Sequence, residues 1–83
     1  MKEKEKELYN YVVKFCSENY KVKKCKCFDN EIYCLLPSDD IEKNLNIPFA
    51  QQLVLLENLE KEKMIKLKFE ADQTLYVLIC DIN

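Results

Sequence analysis

The sequence predicts an α+β domain, and three observations carry that expectation. A first segment has apolar residues at helical spacing, a central run reads as two short helices, and in two places extended β-branched and aromatic stretches flank a short polar turn. Eighty-three residues suffice for one core, so residues 1–83 read as a single domain without repeat or linker. Nearly half of the residues are apolar and a third are charged with both signs mixed, the balance of a chain that folds.

Residues 2–19 place Leu8, Val12, Phe15 and Cys16 on one side of a helix. The charges of the opening KEKEKE run cancel and fall as opposite pairs at i,i+3, which makes the run a solvated helix face rather than an arm for nucleic acid. Residues 20–28 and 31–37, on either side of Asp29-Asn30, predict a hairpin. In its second strand Ile32, Cys34 and Leu36 share one face and Tyr33 and Leu35 the other, a pattern that predicts packing on both sides. Lys21, Lys23, Lys24 and Lys26 mark the first strand as a guarded edge.

The chain has no glycine, so left-handed turn positions fall to Asn and Asp, with Asp29-Asn30, Asn46 and Asp72 as the candidates. Ser38 is placed to cap the next helix, with Asp39 and Glu42 as a variant capping box at the positive end of its dipole. That helix turns Ile41 and Leu45 inward and ends at LNIP, where Asn46 takes the cap and Pro48 opens a longer helix. Residues 48–63 form this second helix, with Phe49, Leu53, Leu56 and Leu59 as its core stripe. MIKLKFE and LYVLICDI about ADQT then give a final hairpin, in which Ile65, Leu67 and Phe69 alternate with lysines.

The order helix, strand, helix, turn, helix, strand, turn, strand resembles the winged helix-turn-helix superfamily over roughly residues 32–80, and the residues that carry the resemblance are SDDIEKNLNIPFAQQLVLLENLEKEKMIKLKF. The resemblance implies three helices with a small antiparallel sheet, here with an extra N-terminal strand hairpin. The run from Leu59 to Ile65 looks like the passage from a recognition helix into the first wing strand. Lys63 stands where members usually carry glycine, and Asn46 occupies a turn position often held by glycine. In members that bind DNA, the second helix of the motif enters the major groove while the wing touches phosphates or the minor groove.

Projected at helical spacing with Phe49, Leu53 and Leu56 inward, the second helix turns Gln51, Val54, Asn58, Lys61 and Glu62 outward, with Glu57 at one flank. Gln51 and Asn58 can pair with adenine at two points, and Val54 can meet a thymine methyl. Lys61 joins them on this reading face, and Lys66 and Lys68 are the candidate phosphate contacts. Arginine, the usual reader of guanine, is absent, and the net charge of −2 gives no overall attraction to nucleic acid. The first reading is a small cytoplasmic winged-helix transcriptional regulator on double-stranded DNA, with a homodimer through the first helix left open. The alternative is a protein-interaction module of the same fold, such as a phage-type, anti-CRISPR-like inhibitor. It would present Asp39, Asp40, Glu57, Glu70 and Asp72 to a basic nucleic-acid-binding partner.

Other chemistry has little to work with. The absence of histidine excludes Ser-His and Cys-His nucleophile pairs, and the absence of glycine excludes Gly-rich phosphate loops, so a non-enzyme without cofactor is expected. The five cysteines, Cys16, Cys25, Cys27, Cys34 and Cys80, are odd in number and offer one closely spaced pair, which fits reduced thiols better than a disulfide framework or a zinc site. Cys25 and Cys27 should share one strand face, as exposed thiols on a hairpin that could crosslink under oxidation. Tyr9, Tyr11 and Tyr20 cluster near the first helix, where partial core burial competes with a dimer surface. No apolar run approaches the roughly 18 residues of a membrane span, and the N-terminus lacks a signal-peptide core, so no membrane partner and a cytoplasmic location are expected.

Overall fold

The computed structural model describes residues 3–19, 25–72 and 74–80. Helix α1 spans Glu3–Asn19, strands β1 and β2 span Cys25–Phe28 and Glu31–Leu35, helices α2 and α3 span Ser38–Leu45 and Phe49–Lys61, and strands β3 and β4 span Ile65–Phe69 and Leu75–Ile79. The strands form one antiparallel sheet in the order β1-β2-β4-β3, so the chain is α+β, as its patterning predicts. The lysines Lys21, Lys23 and Lys24, together with Tyr20, lie outside the described residues; Lys26 lies on β1, which is an edge strand.

One apolar core lies between the helices and one face of the sheet. Leu8, Val12 and Cys16 from α1, Ile41 from α2, Ile47 from the turn, and Leu55, Leu56 and Leu59 from α3 meet Cys34, Leu36, Ile65, Leu75 and Val77. Tyr9 and Tyr11 pack partly buried against this core, and the Asn44 side chain donates to the Tyr11 hydroxyl at 3.1 Å. Ile32 shares the face of Cys34 but stays 42% exposed, because it sits beyond the two positions where β2 pairs with β4.

The helix ends differ from expectation in instructive ways. Pro37, not Ser38, is the N-cap of α2, without a side-chain capping bond; Ser38 is the first helical residue. Pro48 likewise caps α3, which begins at Phe49, so the helix is one residue shorter at its start and ends at Lys61. Asn46 is left-handed, with φ 57°, and Asp29 and Asn30 have φ of 52° and 68°, the type I′ pattern of a two-residue hairpin. Asp72 is not among the positive-φ residues; Lys63 is, at φ 63°. Lys63 N–H donates to Glu60 O and Met64 N–H to Leu59 O, the paired bonds of a Schellman cap, with a lysine where glycine is normally favoured.

The inward face of α3 is also rotated. Gln52, Leu55, Leu56 and Leu59 are buried, whereas Leu53 is only half-buried and Phe49 is 43% exposed. The cause is Gln52, fully buried, whose Nε2 donates to Ile47 O at 2.8 Å and Ser38 O at 3.1 Å. Ile47 lies in the α2 to α3 turn and Ser38 opens α2, so one amide ties α3 to both, and a buried carbonyl left unpaired is costly. A polar side chain therefore takes a core position that hydropathy would give to leucine.

The sheet face away from the helices carries Lys26, Phe28, Glu31, Tyr33, Lys66, Lys68, Tyr76 and Leu78 by strand alternation. The described helices pack on the other face, yet Tyr33 is only 2% exposed. Phe28 pairs with Glu31 and Tyr76 with Leu35, four residues along β2, or about 13 Å in a straight strand. Their rings nevertheless lie 5.5 Å apart between centroids, and Phe28 meets Tyr33 edge-on at 5.3 Å. The β1–β2 hairpin therefore bends over this face, helped by the short β2–β4 pairing, and closes a small aromatic cluster under itself. The expected two-sided packing of β2 is met on this side by the hairpin's own coil.

Candidate nucleic-acid interface

The outward side of α3 gathers four of the predicted residues into one row. Gln51 and Lys61 are exposed, Val54 is 57% exposed, and Asn58 is half-buried. Their spacing of three, four and three residues keeps them on one helix face, opposite the stripe that starts at Gln52. The row is chemically mixed: two amides that can donate and accept, one branched apolar side chain between them, and one ammonium.

Acid flanks this row. Glu57 and Glu62 are exposed on and just after α3, and Asp39, Asp40 and Glu42 are exposed on α2. Asp39, Asp40, Glu57 and Glu62 have no ion-pair partner among the described residues. Exposed Asp72, in the β3–β4 turn, accepts from Thr74 N–H at 3.0 Å, and hydrogen bonding by the Thr74 side chain, with this N–H second, holds its carboxyl below the usual range. Glu70 is engaged by Lys26. A groove of about 440 Å³ opens beside the start of α2, lined among others by Phe15, Leu36, Pro37, Phe49 and Leu75.

Lys66 and Lys68 do not join the α3 row. They project from β3 onto the opposite face of the sheet, where Lys66 pairs with Glu31 at 3.0 Å and Lys68 with Asp29 at 3.2 Å. The hydrogen bond and charge of Glu31 push the Lys66 ammonium above its usual range. Both carboxylates belong to the β1–β2 hairpin, so its bend places acid where a phosphate would have to sit.

Gln52, the coil of the hairpin and the lysine left-handed cap shape these surroundings without a hydropathy signal. A fourth feature is Glu60, whose carboxylate accepts Leu67 N–H at 2.9 Å and so ties α3 to the outer edge of β3. Gln52 had a spacing signal, since Gln52, Leu55, Leu56 and Leu59 fall at i, i+3, i+4 and i+7. Among the described residues, no group of three or more Cys, Asp or Glu is placed to hold a metal ion, and no helix is long and apolar enough to cross a membrane. No family model, curated protein or solved structure matches the chain.

Proposed function

We propose that the chain is a small, non-enzymatic, winged-helix-type regulator that contacts double-stranded DNA through α3. One observation carries this reading: exposed Gln51 and Val54 and half-buried Asn58 form one row on the outward face of α3, an apolar side chain between two amides. Such a row matches the major-groove edge of A·T pairs, with amides for adenine and a methyl-contacting valine for thymine. The order of elements and the tight turn through left-handed Asn46 support a helix-turn-helix arrangement of α2 and α3. Lys61 extends the row toward a phosphate. Lys66 and Lys68 reach phosphates only if Glu31 and Asp29 release them, and exposed pairs of this kind are worth about 0–1 kcal/mol.

Titration of labelled A·T-rich duplex against salt tests the reading. Each phosphate contact adds about 0.9 to the slope of log affinity against log salt. A slope near one then assigns Lys61 alone, and a slope near three means that the hairpin has let go of both β3 lysines. Gln51→Ala with Asn58→Ala should erase sequence preference; association no tighter than millimolar at low salt rejects the DNA reading.

The unpaired carboxylates favour a second reading, in which the same fold docks a basic protein, as a phage-type inhibitor would. Asp39, Asp40 and Glu57 supply the free acidic surface, with Asp72 at the wing turn and Glu70 partly neutralised by Lys26. Capture of a basic nucleic-acid-binding protein that is lost on Asp39→Lys with Asp40→Lys would support it. Capture untouched by that swap would remove this surface from the mechanism.

A further inference from the structure

We propose that Cys25 and Cys34 are an oxidisable dithiol, a modification site that takes a low-molecular-weight disulfide of the glutathione class and converts the β1–β2 hairpin to a covalently closed form. The two residues are directly opposite one another across the hairpin, and their Sγ atoms are 3.3 Å apart. Phe28 and Glu31 close the two-residue turn, so strand alternation makes Cys25 and Cys34 a non-hydrogen-bonded pair. Side chains approach most closely at such pairs, with Cα atoms about 4.5 Å apart, within the range a disulfide spans. Cys16 of α1 is buried in the same core cluster as Cys34, against which Cys25 packs partly buried. Cys27 shares the strand face of Cys25 but stands opposite Ile32 and is exposed, outside this contact.

The exchange balances in two steps. Cys25, the more exposed of the pair, attacks one sulfur of the small disulfide as a thiolate; that S–S bond breaks, one small thiolate leaves, and a mixed disulfide remains on Cys25. Cys34 then gives up its proton and attacks the Cys25 sulfur, forming the cross-link and expelling the second thiolate. Two protein thiols are oxidised, one small disulfide is reduced to two thiols, and the two protons pass to the departing thiolates. Desolvation pushes the Cys25 thiol up to about 11, so the pair reacts slowly at neutral pH and faster by about tenfold per pH unit toward that value.

The test uses the full chain carrying Cys27→Ser, incubated natively with oxidised glutathione, then alkylated and mapped by mass spectrometry. Two of the four remaining thiols should disappear, a Cys25–Cys34 linked peptide should form, and no glutathione should be retained. Adding Cys34→Ser should leave one glutathione on Cys25. Should that buried substitution prevent folding, Cys25→Ser at the half-exposed position should abolish the cross-link instead. Glutathione held on Cys25 while Cys34 stays alkylatable, or a Cys16–Cys34 link in place of Cys25–Cys34, overturns the proposal.

Discussion

Gln52 shows what one polar residue costs and contributes at a buried turn. Its Nε2 donates to two carbonyls, while its Oε1 is buried without a partner among the described residues, so the net gain rests on the donor side. Gln52→Glu keeps the shape, removes both donors and faces a carboxylate toward carbonyl oxygens; urea unfolding at neutral pH should show a loss of about 3 kcal/mol. Lys63 is the converse case, a residue with a Cβ held at φ 63° by the Schellman bonds. Lys63→Gly should raise stability by about 1 kcal/mol, whereas Lys63→Ala should give no such gain. The thiol cluster has a pH signature. Cys25 is raised from 9.0 to about 11, so the folded state binds that proton more tightly than the unfolded state. Its contribution is therefore fully present below pH 9 and lost as pH rises through 11. Unfolding measured across that window should fall less steeply for Cys25→Ser than for the parent chain.

At the level of elements, residue pattern located most of the architecture and misjudged orientations. The period of Leu8, Val12 and Cys16 set α1 correctly because all three reach the core, and the absence of glycine pointed to Asp29, Asn30 and Asn46 as left-handed positions. The face of α3 was misread because the pattern ranks side chains by hydropathy, and Gln52 is buried for its hydrogen bonds. The candidate row survives that rotation, since Gln51, Val54, Asn58 and Lys61 still face solvent. Lys66 and Lys68 were legible as outward strand residues, but their partners Glu31 and Asp29 come from a distant hairpin whose bend no local pattern encodes. Strand order carries its own prediction. β1 and β3 are the two edge strands, each hydrogen-bonded to one neighbour, but the outer edge of β3 is tied to α3 through Glu60 and Leu67, whereas β1 is the shorter strand and rests on β2. Amide exchange should therefore be fastest in β1 among the four strands, and the Cys25–Cys34 cross-link should slow it.

Across the whole molecule, charge is divided between two surfaces. The helix side leaves Asp39, Asp40 and Glu57 unpaired, while the opposite sheet face uses Lys26, Lys66 and Lys68 on Glu70, Glu31 and Asp29. The small net charge of −2 hides this asymmetry, which governs what can approach each side. The three ion pairs also bridge the two hairpins above Phe28, Tyr33 and Tyr76, and all three are at least partly open to water. They form an ionic latch over the aromatic cluster. At about 1 M salt the Debye length shrinks to about 3 Å, and the latch should slacken while the leucine-rich interior stays intact. Because the chain has five tyrosines and no tryptophan, near-ultraviolet dichroism would register that slackening directly, as a fading tyrosine band with unchanged helix signal.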